Sequence, residues 1–170
     1  MKRSLAAILL LVPLFGCVGP MAPIGDPENE QAALVYGYIN GSSGVPNVTL
    51  YNTRTKVMAP WAPGNVPAHT YGSGLILFDN VEPGDYIIHG FGIGQTAYSL
   101  GTQRIELTVR PGEIVYLGAF RYAHEGGLLS NEFTFAPARE PSQRTVREWA
   151  IEATEGTGWN QRLRGSEGKG

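Results

Sequence analysis

Residues 75–92 read LILFDNVEPGDYIIHGFG, and this stretch has the pattern of two β-strands joined by a tight turn. An apolar run, Leu75 to Phe78, passes through Asp79 and Asn80 into Val81-Glu82-Pro83-Gly84, and a second apolar run starts at Tyr86. Short runs rich in β-branched and aromatic residues, bounded by turn formers, read as strands. Pro83 presets its own φ for a turn, and Gly84 accepts the positive φ that other residues resist. The same device recurs where RIELTVR (104–110) meets GEIVYLGAFRY (112–122) at Arg110-Pro111-Gly112-Glu113.

Working outward, AALVYGYI (32–39) and PNVTLYN (46–52) flank GSSG (41–44), a turn of the kind Gly and Ser favour. With 74–80, 84–93 and NEFTFA (131–136), the runs number seven, a mainly β pattern. Seven short runs joined mostly by turns predict a seven-stranded antiparallel β-sandwich over 32–138. Alternation assigns some faces: Ile105, Leu107 and Val109 point one way, and Arg104, Glu106, Thr108 and Arg110 the other. In 113–121 both sets are apolar, Ile114, Tyr116 and Phe120 against Val115, Leu117 and Ala119, so this strand needs cover on both sides.

The C-terminal segment, 139–165, is the candidate cover. Residues 139–170 hold 11 charged residues in 32, against 12 in 108 for 31–138, so the composition changes here. Ser142 stands as an N-cap after Pro141, and Val146, Trp149, Ala150 and Ala153 recur at helical spacing. A helix over 142–155 follows, with Gly156 as its stop and TGWNQRL (157–163) as a second helical turn led by Trp159. Residues 166–170 read as a disordered tail.

VYGYINGSSGVPNVTLYN followed by LILFDNVEPGDYIIHGFG resembles the carboxypeptidase regulatory-like, or prealbumin-like, β-sandwich module. Gly37, Pro46, Val48, Leu50, Phe78, Asn80, Val81, Pro83, Gly84 and Tyr86 occupy that family's positions, over about residues 33–93. The resemblance implies a non-catalytic module, structural or ligand-binding.

The N-terminus gives the address. Lys2 and Arg3 precede an uncharged apolar stretch from Ser4 to Phe15, too short for a membrane span of roughly 20 residues. It suits the hydrophobic region of a signal peptide, 1–16. The stretch ends Leu14-Phe15-Gly16-Cys17, which resembles the lipobox of bacterial lipoproteins and holds the only cysteine of the chain. That resemblance implies cleavage before Cys17, a diacylglyceryl group on its thiol and an acyl chain on the new N-terminus. Val18 stands where an inner-membrane retention signal has Asp, so the expected location is the outer membrane, facing the periplasm. Residues 17–31, Pro-rich and acidic, read as a flexible tether. Loss of Lys2 and Arg3 takes the net charge from −2 to −4, which excludes the basic footprint of a nucleic-acid binder. A single cysteine also excludes a disulfide framework.

Candidate sites are few. His69, His89 and His124 sit at no ligand spacing, so no metal and no cofactor are expected, and His89 reads as a partly buried, hydrogen-bonded strand residue. The glycines of GFGIGQT (90–96) lack the following helix of a phosphate loop and read as bulges or close backbone approaches. RTKVMAPWAPGNVPAHTYGS (54–73) is too long for a simple turn and carries Trp61, His69 and Tyr71. Two readings stay open for it: cover over a sandwich edge, or a ligand site built on those three residues. With no catalytic constellation, the expected function is a non-enzymatic envelope lipoprotein binding a protein or envelope component. The alternatives are a carbohydrate- or peptidoglycan-binding module stacking on Trp61 and Tyr71, and a metal-dependent hydrolase built on the histidines.

Overall fold

The computed structural model describes residues 23–41, 46–55, 57, 59–94, 96–124 and 133–166. Cys17, the signal segment 1–16 and residues 167–170 lie outside the described residues. In chain order the elements are β1 (Ala33–Gly41), β2 (Asn47–Asn52), β3 (Val66–Pro67), β4 (His69–Thr70), β5 (Leu75–Val81), β6 (Gly84–Ile88), β7 (Gly90–Ile93), β8 (Thr96–Ser99), β9 (Ile105–Val109), β10 (Ile114–His124), β11 (Phe133–Pro137), α1 (Gln143–Ala153) and α2 (Gly158–Gly165).

The chain is mainly β, in two sheets, with C-terminal helices. One sheet runs β11-β10-β1-β5-β4; the other runs β8-β7-β2-β6-β9, with β3 paired to β2. The count among the described residues is eleven strands, not seven. The run 84–93 divides at His89, where pairing with β2 slips by one residue between Tyr51↔Ile87 and Val48↔Phe91. Three further strands, β3, β4 and β8, are too short to leave an alternating pattern. Gly90 answers to close approach: a Cβ there would lie 2.4 Å from the Tyr98 carbonyl oxygen of β8.

The expectation of uniformly antiparallel pairing is corrected as well. β1 pairs with β10 in parallel, from Leu34↔Ile114 to Gly41↔Tyr122. Neither Pro-Gly turn closes a hairpin: β5 to β6 and β9 to β10 each cross from one sheet to the other, and β10 comes back beside β1 after the chain has built the second sheet. The register of this pair shifts between Tyr36↔Tyr116 and Tyr38↔Ala119, so Leu117 and Gly118 together face Gly37. A bulge of this kind reverses the facing of every later side chain. Accordingly Ile114, Tyr116 and Ala119 lie on the helix side, while Val115, Leu117 and Phe120 pack inward. Ala119 and Phe120 are therefore on the opposite faces from those that strict alternation assigns.

Side chains of both sheets meet in one core that includes Val35, Ile39, Val48, Leu50, Ile76, Phe78, Tyr86, Ile88, Phe91 and Val109. A second core lies on the other face of the five-stranded sheet. Leu34, Tyr36, Tyr38, Leu75 and Leu77 there receive Val146 and Ala150 of α1 and Trp159 and Leu163 of α2. Trp159 is fully buried, and Trp149 meets Tyr38 with ring centroids 5.8 Å apart. These helices supply the cover that β10 requires. α1 is capped where its sequence indicates, the Thr145 amide donating to Ser142 Oγ at 3.2 Å.

Residues 23–31 correct the extent of the tether, because they are bound to the folded body. Ile24 is buried in the second core. The Gly25 amide donates to Asp79 Oδ2 (3.1 Å), the Glu28 amide to Asn80 Oδ1 (2.8 Å), and Arg162 Nη2 to the Asn29 carbonyl (3.0 Å). Composition suggests an extended chain here, but its backbone groups find acceptors and donors at the end of β5 and on α2.

Candidate functional site

Two regions carry functional side chains. The first is the segment 54–73, whose described residues form a hydrogen-bonded loop followed by a sheet crossing. Asn65 organises the loop from inside: its Oδ1 accepts from the Asn52 amide (2.9 Å), and its Nδ2 donates to the carbonyls of Val57 (3.1 Å) and Ala59 (2.7 Å). Ala62 is buried, and its amide donates to the Ala59 carbonyl, closing a turn that turns Trp61 outward. The chain then pairs with β2 through β3, passes Ala68 and joins the other sheet as β4.

The three side chains singled out from the sequence do not form one site. His69 and Tyr71 share the helix-side edge of β4, while Trp61 stands at the loop tip, 85% exposed. No ring contact links Trp61 to Tyr71 among the described residues. His69 Nε2 donates to Asp79 Oδ1 at 3.0 Å, and the other oxygen of that carboxylate accepts from the Gly25 amide. His69 therefore orients the carboxylate that holds the N-terminal arm. Tyr71 packs against the second core, and burial raises its pKa, with the negative charge of Asp79 adding to the rise.

The remaining histidines stand apart from these. His89, between β6 and β7, lies against the Tyr51 ring at 4.4 Å, and its buried Nε2 has no hydrogen-bond partner among the described residues. A tilted ring contact with Tyr51, not the expected hydrogen bond, places it. The side chain of His124 lies outside the described residues. No three His, Cys, Asp or Glu side chains gather at a metal-binding spacing among the described residues.

The second region is a groove of about 830 Å³ between the helices and the starts of β1 and β10. Tyr36, Ile114 and Tyr116 line its sheet side, with the two tyrosine rings 5.3 Å apart. Gln143 and Arg147 of α1 and Arg162 of α2 line its helix side. Both guanidinium groups are held by neutral oxygens. Arg147 Nη2 donates to the Leu163 carbonyl and to Ser166 Oγ; Arg162 Nη1 donates to the Ala32 carbonyl at 2.8 Å. Arg162 also lies 5.0 Å from the Trp159 ring centroid. Neither arginine joins an ion pair among the described residues. Glu30 and Glu113 also line the groove, so both signs of charge face it.

Burial raises the pKa of Tyr36, against the opposing pull of its hydrogen bond to Gln143 and of the Arg147 charge. Burial likewise raises that of Tyr116, with Tyr36 adding to it. Both phenols are thus neutral at physiological pH. Such a groove offers aromatic surface, an amide and guanidinium donors, a chemistry suited to holding a ligand. Sequence reasoning misses it because its walls come from separated segments and no local motif marks them.

No protein-family model matches the chain, and no curated protein matches it either. No helix among the described residues is long and apolar enough to cross a membrane.

Proposed function

We propose that this chain is a lipid-anchored, non-catalytic binding module of the bacterial cell envelope. In this reading Cys17 carries the lipid, the protein sits on the outer membrane facing the periplasm, and the folded body is a prealbumin-like, carboxypeptidase regulatory-like sandwich that binds a protein or another envelope component. The observation that carries the binding reading is the groove beside α1 and α2. Its neutral phenols, amide and guanidinium groups are residue types that grip a ligand through stacking and hydrogen bonds.

The test is crosslinking in intact cells followed by pull-down, comparing the wild type with Cys17→Ser and Tyr116→Ala. A defined partner captured by the wild type and lost in both variants supports the reading. Capture indifferent to both changes, or turnover of envelope substrates by the purified protein, overturns it.

Trp61 favours a second reading, a glycan-binding module, since an indole 85% exposed on a hydrogen-bonded turn suits stacking on a sugar ring. Retention on insoluble peptidoglycan that disappears in Trp61→Ala would support it. Equal retention of the two proteins would remove it.

A further inference from the structure

The exposed tip of the 53–65 loop has a placement that the binding groove does not explain. Trp61 and Val57, 85% and 54% exposed, are the large hydrophobic side chains open to solvent among the described residues. Residues 57–63, VMAPWAP, carry no charge, and Arg54 and Lys56 precede them. The described residues 59–65 are already held by Asn65 and by the successive turns that close Ala62 on Ala59 and Asn65 on Ala62. The turn that displays the indole is therefore formed before any contact with another surface.

The base of this loop lies at the end of the molecule where the N-terminal arm is held. The Thr53 amide donates to the Asp85 carbonyl at 3.0 Å, just after the β5–β6 turn. Gly25 and Glu28 are bound to Asp79 and Asn80, just before the same turn. From Cys17 to Pro23 the chain has six Cα-to-Cα steps. Fully extended, these reach about 20 Å.

We propose that the Trp61 loop is a second membrane contact, seated in the interfacial region of the bilayer to which Cys17 is anchored. This rests on the lipid-anchor reading above. A short tether keeps the loop's end of the domain at the lipid surface, and tryptophan is the side chain that favours the boundary between headgroups and acyl chains. Glu82 and Arg54 both act on Tyr86 at this end, and Asp85 flanks the same turn, so charges of both signs border the loop. The contact is consequently apolar and interfacial, independent of anionic lipid and insensitive to salt.

Because Cys17 is the only cysteine, the chain from Cys17 onward, which contains every described residue, can be coupled through its thiol to maleimide lipid. The vesicles are phosphatidylcholine, with or without brominated acyl chains, and Trp61→Phe supplies the emission of Trp149 and Trp159. The expected result is a blue shift and a fall of about twofold or more in the emission owed to Trp61 on brominated vesicles, unchanged between about 0.1 and 1 M NaCl. Emission unaffected by bromine and still fully quenched by acrylamide overturns the loop contact, and leaves the anchor standing. The anchor has its own readout, the mass of the N-terminal peptide of protein isolated from cells: an acylated Cys17 supports it, and an unmodified Cys17 removes both the anchor and the placement argued from it.

Discussion

Asp26→Ala tests whether an acid outside the helical segment caps α2 from 132 residues away. Thr157 occupies the N-cap position, yet its hydroxyl donates backward to the Thr154 carbonyl at 2.8 Å and makes no cap bond. The first amide of the helix, that of Gly158, donates to Asp26 Oδ1 at 2.7 Å. Losing a side-chain cap costs typically about 1 kcal/mol. Losing a negative charge at a helix N-terminus adds about 0.3–1 kcal/mol. The two together come to about 1–2 kcal/mol, and α2 passes the loss on because it seats Trp159 and Leu163 in the second core. With a urea dependence of about 2 kcal/mol per molar, the unfolding midpoint falls by about 0.5–1 M. Asp26→Asn keeps an oxygen acceptor and removes the charge, so its midpoint falls by less, within the charge contribution alone. Hydrogen exchange gives the local readout: the Gly158 amide loses protection in Asp26→Ala first. Midpoints for Asp26→Ala and wild type that agree within error refute the capping of α2 by Asp26.

Other expectations follow from the same contacts. Trp159→Ala empties a fully buried site between α2 and the sheet and costs about 3–5 kcal/mol, read as the urea midpoint; a loss under about 1 kcal/mol contradicts the packing. Asn65→Ala removes three hydrogen bonds worth about 1 kcal/mol each within one loop, so limited proteolysis between residues 53 and 65 accelerates while the midpoint moves less; unchanged cleavage refutes the organising role. Tyr36, Tyr71, Tyr86 and Tyr116 all have pKa values raised above the ordinary 10.0, chiefly by burial. The folded state thus keeps protons that the unfolded chain releases near 10.0, so this stability is complete below that pH and is lost as pH rises through the higher folded values. The urea midpoint falls between about pH 9 and about pH 11, together with delayed phenolate absorbance; a flat midpoint over that range argues against the burial.

What was legible in the sequence was local. The Pro-Gly pairs mark the β5–β6 and β9–β10 connections, but Gly112 takes the expected positive φ (66°) and Gly84 does not, Asn80 doing so in its place (51°). Alternation in 105–109 puts Ile105, Leu107 and Val109 against the inner core, as the structure does. Ser142 caps α1 through a residue three positions on, so its signal is also contained within a few residues. The candidate sites were less legible. His69 and Tyr71 were visible as residue types, but the partner that defines their role, Asp79, lies on the neighbouring strand.

Three features depend on groups far apart in sequence. The bulge at Leu117–Gly118 exists only where β10 meets Gly37 of β1, and it moves Ala119 and Phe120 to opposite faces from those given by simple alternation. The groove needs α1 and α2 laid beside Tyr36 and Tyr116. The arm 23–31 has no periodicity and becomes ordered through Asp79, Asn80 and Arg162. The sequence by itself determined the β character, the turns and the helix cap, since each depends on backbone preferences within a few residues. Only the tertiary structure decided the parallel β1–β10 pairing, the attachment of the arm and the outward placement of Trp61, because those depend on hydrogen bonds and packing between segments that the chain order keeps apart.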